Sequence, residues 1–296
     1  MQYYNNKTLV YINGDFIKAT EAKADMYSQS LHYGFAAFEG IRAYKTHNGT
    51  RIFKAREHFA RLKRSCALAG IPFNWDTEQL MRDTYKLLEL NQLKDAYIRP
   101  LVICDPNMSL TAPAGVSVVI CAWEWAAYFG DKLLRLMISS YQRPNPRSTP
   151  VEAKLSGHFM NAILASTEAK SKGFDDALML DHQDKVAAAP NANIFIERDG
   201  RLYTPKTGNI LPGITRRTVM ELCRVLDIEV IEKELTAIEL KNADSAFLCG
   251  TAAEIVGIQS VDSIIFPQSW NESIGSVIQR AYKNVVLEKV NYEVII

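Results

Sequence analysis

At the centre of the chain lies the segment Val151-Glu-Ala-Lys-Leu-Ser-Gly-His-Phe-Met160. It follows a proline-rich joint and runs into a helical pattern over residues 160–170. Lys154 stands just before Ser156-Gly157, two small residues that let a large ligand approach the backbone. A partly desolvated lysine loses its proton easily and becomes a nucleophile, which makes Lys154 a candidate for Schiff-base chemistry. Taken alone, the segment also fits a surface lysine before a helix, so the rest of the chain must decide.

The composition is that of an ordinary globular protein. Of 296 residues, 48% are hydrophobic and 23% charged, which suffices for two domains with substantial cores. The formal net charge is +1 without acidic or basic blocks, so we expect neither nucleic acid nor a membrane as a partner. Five cysteines form no C-x-x-C pair and five histidines no H-E-x-x-H motif, which favours reduced thiols over disulfides or a metal site. Lacking a signal peptide's apolar core, the chain is predicted to be cytoplasmic.

Hydrophobic periodicity predicts the elements of an N-terminal lobe. Residues 8–17 alternate around Asn13-Gly14, which predicts a β-hairpin. Asp76 precedes a helical pattern and Gln79 follows three residues later, the spacing of a capping box. Residues 32–44 combine aromatics with glycines and fit either a buried strand or a loop and strand lining a pocket. The other predicted elements are helices over 56–69 and 78–90 and strands over 97–104 and 116–123.

The second half of the chain predicts a further set of interleaved helices and strands. These are strands over 134–140, 177–180 and 245–249, a hairpin of 193–197 and 201–204 over Asp199-Gly200, and helices over 160–170, 215–226 and 274–286. The fold class is therefore mixed α/β (α+β) in two lobes. We predict an N-terminal domain over 1–126, an interdomain loop over 127–136 and a larger C-terminal domain over 137–296.

Three places are suited to binding an anion. Leu211-Pro-Gly-Ile-Thr215 opens a helix, where Gly213 admits a ligand, Thr215 is the expected N-cap, and free N–H groups attract phosphate. Cys249-Gly-Thr-Ala-Ala-Glu254 forms a second Gly-Thr turn at a strand end, and Arg56 can supply a counter-charge. Each also fits a plainer role as a helix cap, a loop turn or a surface arginine. Combined with a reactive lysine, they suggest a phosphorylated cofactor joined through an imine.

Seven motifs occur in an order and spacing that match a known family. They are His32-Tyr-Gly34, Phe38-Glu-Gly-Ile-Arg-Ala-Tyr44, Arg56-Glu-His58, Tyr97-Ile-Arg-Pro-Leu101, Glu152-Ala-Lys154, Leu211-Pro-Gly-Ile-Thr-Arg216 and Gly250-Thr-Ala-Ala-Glu254. Over residues 11–261 the chain resembles the branched-chain amino-acid aminotransferases, pyridoxal 5'-phosphate (PLP) enzymes of fold type IV. The resemblance implies a two-lobed fold with a small N-terminal α/β lobe and a larger C-terminal PLP-binding lobe. It also implies transfer of the amino group of leucine, isoleucine or valine to 2-oxoglutarate.

The resemblance also implies roles for individual residues. Lys154 matches the lysine that joins the cofactor and moves the proton. Residues matching the phosphate site are Arg56, Ile214, Thr215 and Thr251, and Thr251 with Ala252 matches the turn that receives the substrate α-carboxylate. Residues matching the substrate pocket are Tyr33, Phe38, Tyr97, Arg99, Met108 and Tyr128, of which Arg99 would meet the second carboxylate of glutamate or 2-oxoglutarate. The loop of Tyr33 reaches the neighbouring subunit's site in the family, which implies a homodimer, and higher assembly stays open.

Two positions of the cofactor site depart from the family pattern. Ala188 occupies the place of a glutamate that pairs with the pyridine nitrogen and keeps the ring an electron sink. Such a carboxylate shifts a neighbouring pKa by about 1–3 units, so its loss is expected to slow transamination by about a hundredfold. Phe159 replaces a tyrosine that bonds the cofactor's 3-oxygen, a loss of about 1 kcal/mol. Ala192 also replaces a glutamate of some members. The candidate substitute charges are Asp184, Glu152 and Glu254.

Three functions follow from this pattern. The first is a branched-chain transaminase impaired at position 188. The second is a PLP-binding homologue with little or no turnover, which predicts cofactor binding without reaction. The third is a fold type IV lyase acting on an amino-chorismate, such as aminodeoxychorismate lyase. The aliphatic and thioether walls of the expected pocket favour the first over the third, because they suit a branched side chain.

Overall fold

In the computed structural model the described residues are 3–113, 115–125, 129 and 132–289. They form two compact units, each with its own sheet. The first contains the residues up to 125 together with Ala153–Gly157, and the second contains the remainder. The sequence-based limits place Lys154 in the C-terminal domain, whereas its short segment packs within the N-terminal unit. The limits 1–126, 127–136 and 137–296 themselves stay a prediction.

The first unit is an antiparallel sheet with three helices. Its strands are β1 (Leu9–Ile12), β2 (Asp15–Lys18), β3 (Ala36–Phe38), β4 (Ile41–Thr46), β5 (Gly49–Ile52), β6 (Ala96–Cys104) and β7 (Val116–Glu124), and its helices are α1 (Gln29–Tyr33), α2 (Ala55–Ala69) and α3 (Thr77–Leu90). The strand order is β2-β1-β7-β6-β4-β5, and β3 pairs with β6. The long β6–β7 pair lies in the middle of this order, as the near-continuous apolar pattern predicts. Side chains of α2 and α3 pack on the sheet to form the core.

The local signals of the first unit are mostly confirmed. Asn13 and Gly14 take positive φ angles of 51° and 115° at the tip of the β1–β2 hairpin, as a two-residue turn requires. The predicted capping box on α3 is wrong. Asp76 accepts a hydrogen bond from the Glu78 N–H at 3.0 Å, whereas the side chain of Gln79 accepts from Arg82 instead of reaching back. A cap of this kind needs only one side chain, because the Asp76 carboxylate satisfies a free first-turn amide by itself.

The second unit is a mixed sheet with four helices. Its strands are β8 (Leu134–Ile138), β9 (Asp176–Leu180), β10 (Val186–Ala188), β11 (Asn193–Arg198), β12 (Arg201–Pro205), β13 (Val230–Lys233), β14 (Ser245–Gly250), β15 (Glu254–Val261) and β16 (Ile264–Ile265), and its helices are α4 (Phe159–Ser171), α5 (Ile214–Val225), α6 (Ala237–Lys241) and α7 (Ile274–Val286). The strand order is β10-β9-β8-β15-β14-β11-β12-β13, and β16 pairs with β15. The β8–β9, β8–β15 and β12–β13 pairs are parallel.

The predicted hairpin and helices of the second unit are confirmed with one exception at a helix start. Asp199 and Gly200 take φ angles of 52° and 71° between β11 and β12. Helix α5 begins at Ile214 with Gly213 as its N-cap, so Thr215 lies inside the first turn and the prediction that it caps the helix is wrong. Over the described part of the chain, no helix combines the length and apolarity needed to span a membrane. Within the same residues, no group of three or more His, Cys, Asp or Glu side chains is arranged to hold a metal ion.

Candidate active site

Lys154 is held by its own backbone between a strand and a helix of the first unit. Its N–H donates to the Ser65 hydroxyl of α2 at 2.9 Å, and its carbonyl accepts from the Phe38 N–H of β3 at 3.0 Å. The neighbours Ala153 and Leu155 are buried in the core. In an extended segment alternate side chains point to opposite sides, so burying these two directs the Lys154 side chain away from the core.

The Lys154 amine and the Arg99 guanidinium both lie against the Phe38 ring. The Lys154 Nζ is 4.8 Å from the centroid of the Phe38 ring, and the Arg99 guanidinium carbon is 4.6 Å from the same centroid. Arg99 also donates to the Tyr97 hydroxyl at 3.4 Å, and its Nε has no partner among the described residues. A Cβ at Gly40 would overlap that hydroxyl, so glycine at this position leaves room for the Tyr97 ring. The structure thus brings together four predicted residues: Lys154, Phe38, Tyr97 and Arg99.

A buried ion cluster lies on the same strand and helix. Glu39 follows Phe38 and is completely buried. Its carboxylate accepts from Arg61 Nε at 2.6 Å, from Arg61 Nη2 at 2.8 Å and from His58 Nδ1 at 2.7 Å. His58, Arg61 and Ser65 recur at three- and four-residue spacing, which places all three on one face of α2. The face that holds the Lys154 backbone is therefore also the face that holds Glu39.

The protonation states of this cluster follow from its contacts. Burial alone would raise the pKa of the Glu39 carboxyl, but Arg61 and His58 hold that pKa well below its usual range. Burial lowers the pKa of His58 against the pull of Glu39, and the charges of Arg61 and Lys154 lower it further. Since an ionised carboxylate only accepts hydrogen bonds, His58 is neutral with its proton on Nδ1. The net cluster is one carboxylate neutralised by one guanidinium.

Arg56, the predicted phosphate ligand, lies at the exposed start of α2, and its role stays a prediction. Its side chain is 78% exposed and pairs with Glu78 at 3.1 Å, whereas the Arg61 side chain is only 11% exposed. Residues five positions apart on a helix point about 140° away from each other. The inward-facing arginine of α2 is therefore Arg61, whose charge is paired with Glu39.

Three residues predicted for the substrate pocket lie outside the Lys154 cluster or outside the described chain. The hydroxyl of Tyr33 donates to the backbone carbonyl of Met108 at 3.2 Å, and both side chains are about half exposed. Leu110, two residues along the chain from Met108, is strongly exposed. Tyr128 lies outside the described residues.

The start of α5 is the first candidate anion site of the second unit. Ile214 and Thr215 are buried, no side chain caps the helix, and its first turn has no acidic residue. The first-turn N–H groups and the helix dipole together favour an anion at this end. A Cβ at Gly213 would overlap the side-chain amide of Asn193, so the glycine sets how closely α5 approaches β11. Arg216 fixes the turn from the other side by donating to Glu232 at 2.6 Å.

The second candidate anion site is the turn between β14 and β15. Gly250 and Glu254 pair across the hairpin, which leaves Thr251 and Ala252 half-buried at its tip. A Cβ at Gly250 would lie 3.0 Å from the backbone oxygen of Asn191, tight enough to require a shift. The turn is thus held closely against the loop between β10 and β11.

Residue 188, where the family resemblance implies a glutamate, has apolar surroundings. Ala188 is the last residue of β10 and packs with Ala187 and Ile210 in a small buried cluster. The three acids considered as substitutes do not belong to this cluster. Asp184 is exposed and accepts a hydrogen bond from Gln142, and Glu254 pairs with Lys283. Glu152 is half-buried in the loop before Lys154. Phe159 is the half-buried first residue of α4, and Ala192 is buried beside β11.

Glu39, His58 and Arg61 are the residues that sequence reasoning missed. The motifs that contain Glu39 and His58 were recognised, but neither residue was given a role, and Arg61 lies outside those motifs. The available signal was the spacing of residues 58, 61 and 65, which predicts a shared inward face. Reading that spacing requires knowing which side of α2 is buried, and the apolar positions Phe59, Leu62 and Cys66 indicate it.

Comparison with known proteins gives consistent matches over nearly the whole chain. The amino-transferase class IV family matches residues 36–261. The branched-chain-amino-acid aminotransferase of Escherichia coli is 36% identical over 281 residues, covering 92% of this chain and 91% of that protein. The branched-chain aminotransferase of Thermoproteus uzoniensis, solved with norvaline, has a TM-score of 0.93 at 36% identity and 96% coverage of both chains. The branched-chain amino acid aminotransferase of Thermobaculum terrenum, solved in its PLP-form, has a TM-score of 0.89 at 31% identity, covering 96% of this chain and 95% of that one.

Proposed function

The chain belongs to the class IV aminotransferase family, and from this membership we propose that it transfers the amino group of leucine, isoleucine or valine to 2-oxoglutarate with PLP as cofactor. The observation that carries the proposal is the placement of Lys154. Its backbone is fixed between β3 and α2, and its amine and the Arg99 guanidinium lie 4.8 Å and 4.6 Å from the Phe38 ring centroid. A primary amine held at a fixed place is suited to act as a nucleophile.

The residues present fit a phosphorylated aldehyde cofactor. Lys154 offers the primary amine, and the uncapped start of α5 at Ile214 and Thr215 offers amide donors without a competing acid. The Thr251 turn is a second donor site. When bound, the cofactor supplies an aldehyde for the amino group and a conjugated ring that withdraws electrons. Ala188 departs from this fit, because it leaves apolar surface where a carboxylate is expected.

The residues of the chain then have the following roles. Lys154 holds the cofactor and moves a proton at its own Nζ. The turn of Thr251 and Ala252 binds the substrate α-carboxylate through backbone N–H groups. Phe38 and Tyr97 pack against the aliphatic side chain and exclude water, while Arg99 binds the second carboxylate of the amino acceptor. One guanidinium beside aromatic rings explains how a single pocket takes both an apolar and an acidic substrate.

We further propose a cytoplasmic homodimer. Helix α4 exposes a continuous apolar face, with Met160 64%, Ile163 65% and Leu164 39% exposed. The first unit exposes a second apolar feature around Tyr33, Met108 and Leu110. Apolar patches of this kind typically mark interaction sites. A second copy of the chain is the occupant that the family resemblance favours, with Tyr33 reaching the partner's site.

The apolar setting of Ala188 favours a second candidate function, a PLP-binding protein with little turnover. A buried cluster of Ala187, Ala188 and Ile210 cannot stabilise a protonated ring nitrogen. The same lysine and anion sites would still retain the cofactor. The two functions therefore differ in rate and share the same binding residues.

One half-reaction separates the candidates. The protein is loaded with PLP, leucine is added without a keto acid, and the cofactor absorbance is followed. Conversion to the pyridoxamine form is the expected result. A spectrum that persists, with Lys154 trapped by borohydride and the Lys154→Ala variant unlabelled, would establish the binding protein. Failure of the native chain to take up PLP at all would reject both functions.

A further inference from the structure

A cavity of the first unit lies between the segment before β1, the end of α3 and the end of β7, and its volume is about 390 Å³. Its walls include two phenol rings, an indole ring and a carboxylate, which belong to Tyr3, Tyr4, Trp123 and Glu124. Sites for small molecules typically measure roughly 300–1,000 Å³. The cavity is therefore large enough for a small organic ligand, and none of these four residues has a role in the proposed reaction.

Two of the rings form a corner of the cavity. The ring centroids of Tyr3 and Trp123 are 5.4 Å apart, and their planes meet at 84°. Tyr3 and Tyr4 are each 55% exposed, so packing in the core does not cover their rings. The face of an aromatic ring carries negative charge density and attracts cations. Walls at nearly a right angle allow one cation to contact two rings at the same time.

The amide and hydroxyl groups of the cavity already have partners within the chain. The side chain of Asn91 accepts the Leu9 N–H at 2.8 Å and donates to the Leu9 carbonyl at 2.9 Å. The Thr8 hydroxyl accepts the Asn5 N–H at 3.0 Å and donates to the Asn5 side-chain oxygen at 3.4 Å. The groups left to recognise a ligand are therefore the rings and the Glu124 carboxylate.

Glu124 gives the cavity a negative charge. It is exposed, and it forms no ion pair with another described residue. An exposed glutamate is by itself an ordinary feature of a protein surface. Beside aromatic walls, however, its charge adds to the attraction that the ring faces exert on a cation.

We infer that this cavity binds a small organic cation of the quaternary ammonium type. Such a group carries its positive charge on a surface of methyl groups, so it packs against rings and needs no hydrogen-bond acceptor. A primary ammonium or a metal ion requires several acceptor oxygens, and those of Asn5, Thr8 and Asn91 are engaged. The inference does not depend on the proposed transamination, because the cavity shares none of the residues assigned to it.

The test is equilibrium dialysis of the full chain with labelled choline, for which we expect saturable binding at one site in the millimolar range. Tyr3→Ala removes one ring and should weaken binding by about fivefold or more, whereas Tyr3→Phe keeps the ring and should keep the affinity. Glu124→Gln should weaken binding by about fivefold at low salt and by less at high salt, because salt screens an exposed charge. Glu272→Gln is the matched control, since it removes an exposed carboxylate from the second unit.

A neutral isostere of choline, with carbon in place of the ammonium nitrogen, separates a cation site from a plain apolar cavity. It has the same shape without the charge and should not displace choline. Trp123 is left unchanged because its ring also packs against Tyr97, with centroids 5.3 Å apart. The inference is overturned if the native chain shows no saturable binding of choline, or if the isostere displaces choline. It is also overturned if either Tyr3→Ala or Glu124→Gln, folded as judged by circular dichroism, keeps the native affinity at low salt.

Discussion

At the residue scale, the proposed impairment of the site depends on position 188. Ala188 is buried among apolar side chains, and the acids considered as substitutes have other surroundings. A protonated ring nitrogen without a counter-charge loses its proton readily in an apolar setting, which weakens the electron sink. The proposal keeps the lysine, the candidate anion sites and the aromatic wall, so the proposed loss concerns the rate of the reaction more than the binding of its cofactor.

Restoring the carboxylate is predicted to restore rate. Ala188→Glu should speed the leucine half-reaction by about tenfold to a hundredfold, because a carboxylate partner stabilises the protonated ring. The rate is followed by stopped-flow absorbance of the loaded protein. Ala188→Gln is the control, since it has the same size and no charge. Equal rates for the native, Glu and Gln proteins would remove the ring-nitrogen explanation.

The same scale shows where sequence reasoning succeeds and where it fails. Lys154 could be predicted because it belongs to a motif of consecutive residues, which can be recognised without knowing how the chain packs. The inward position of Arg61 was not predicted, because it depends on the rotational phase of α2 and is not part of a motif. The exposed Arg56 and the buried Arg61 share a charge and a helix, so composition cannot separate them.

At the element scale, the N-cap of α3 is predicted to contribute to the free energy of unfolding. Asp76→Ala removes the cap of α3 and is predicted to lower the free energy of unfolding by about 1 kcal/mol. Gln79→Ala is the matched control, because the structure shows its side chain bonded to Arg82 and Asp83 on the surface. Its effect should stay within about 0.5 kcal/mol. Urea unfolding of both proteins measures the difference, and equal losses would mean that a capping box forms in solution.

The elements that sequence patterns missed share physical causes. Strands β10, β13 and β16 have only two to four residues, too few to show a period. Strand β15 is longer, but Gly257 interrupts its pattern. That glycine is required by packing, because a Cβ there would overlap the side chains of Trp270 and Leu133. A glycine that is required by a contact with residues distant in sequence cannot be predicted from the residues next to it.

At the scale of the whole molecule, the exposed apolar residues require a partner that composition does not reveal. Met160, Ile163 and Leu164 are spaced as one helical face, yet this face of α4 is exposed rather than packed. From sequence the same spacing predicts burial in the core, and only the fold shows which face is left uncovered. A second copy of the chain would remove this surface from water.

The dimer is tested by placing a charge on the exposed face of α4. Ile163→Asp should convert a native dimer into a monomer, because a buried carboxylate without a partner opposes association. Ile238→Asp, the same change at an exposed position of α6, is the control and should stay dimeric. Light scattering after size exclusion gives the mass of each protein. If Tyr33 reaches the partner's site, the monomer should keep PLP on Lys154 but bind leucine more weakly. A native monomer, or an Ile163→Asp dimer, would contradict the assignment of this face.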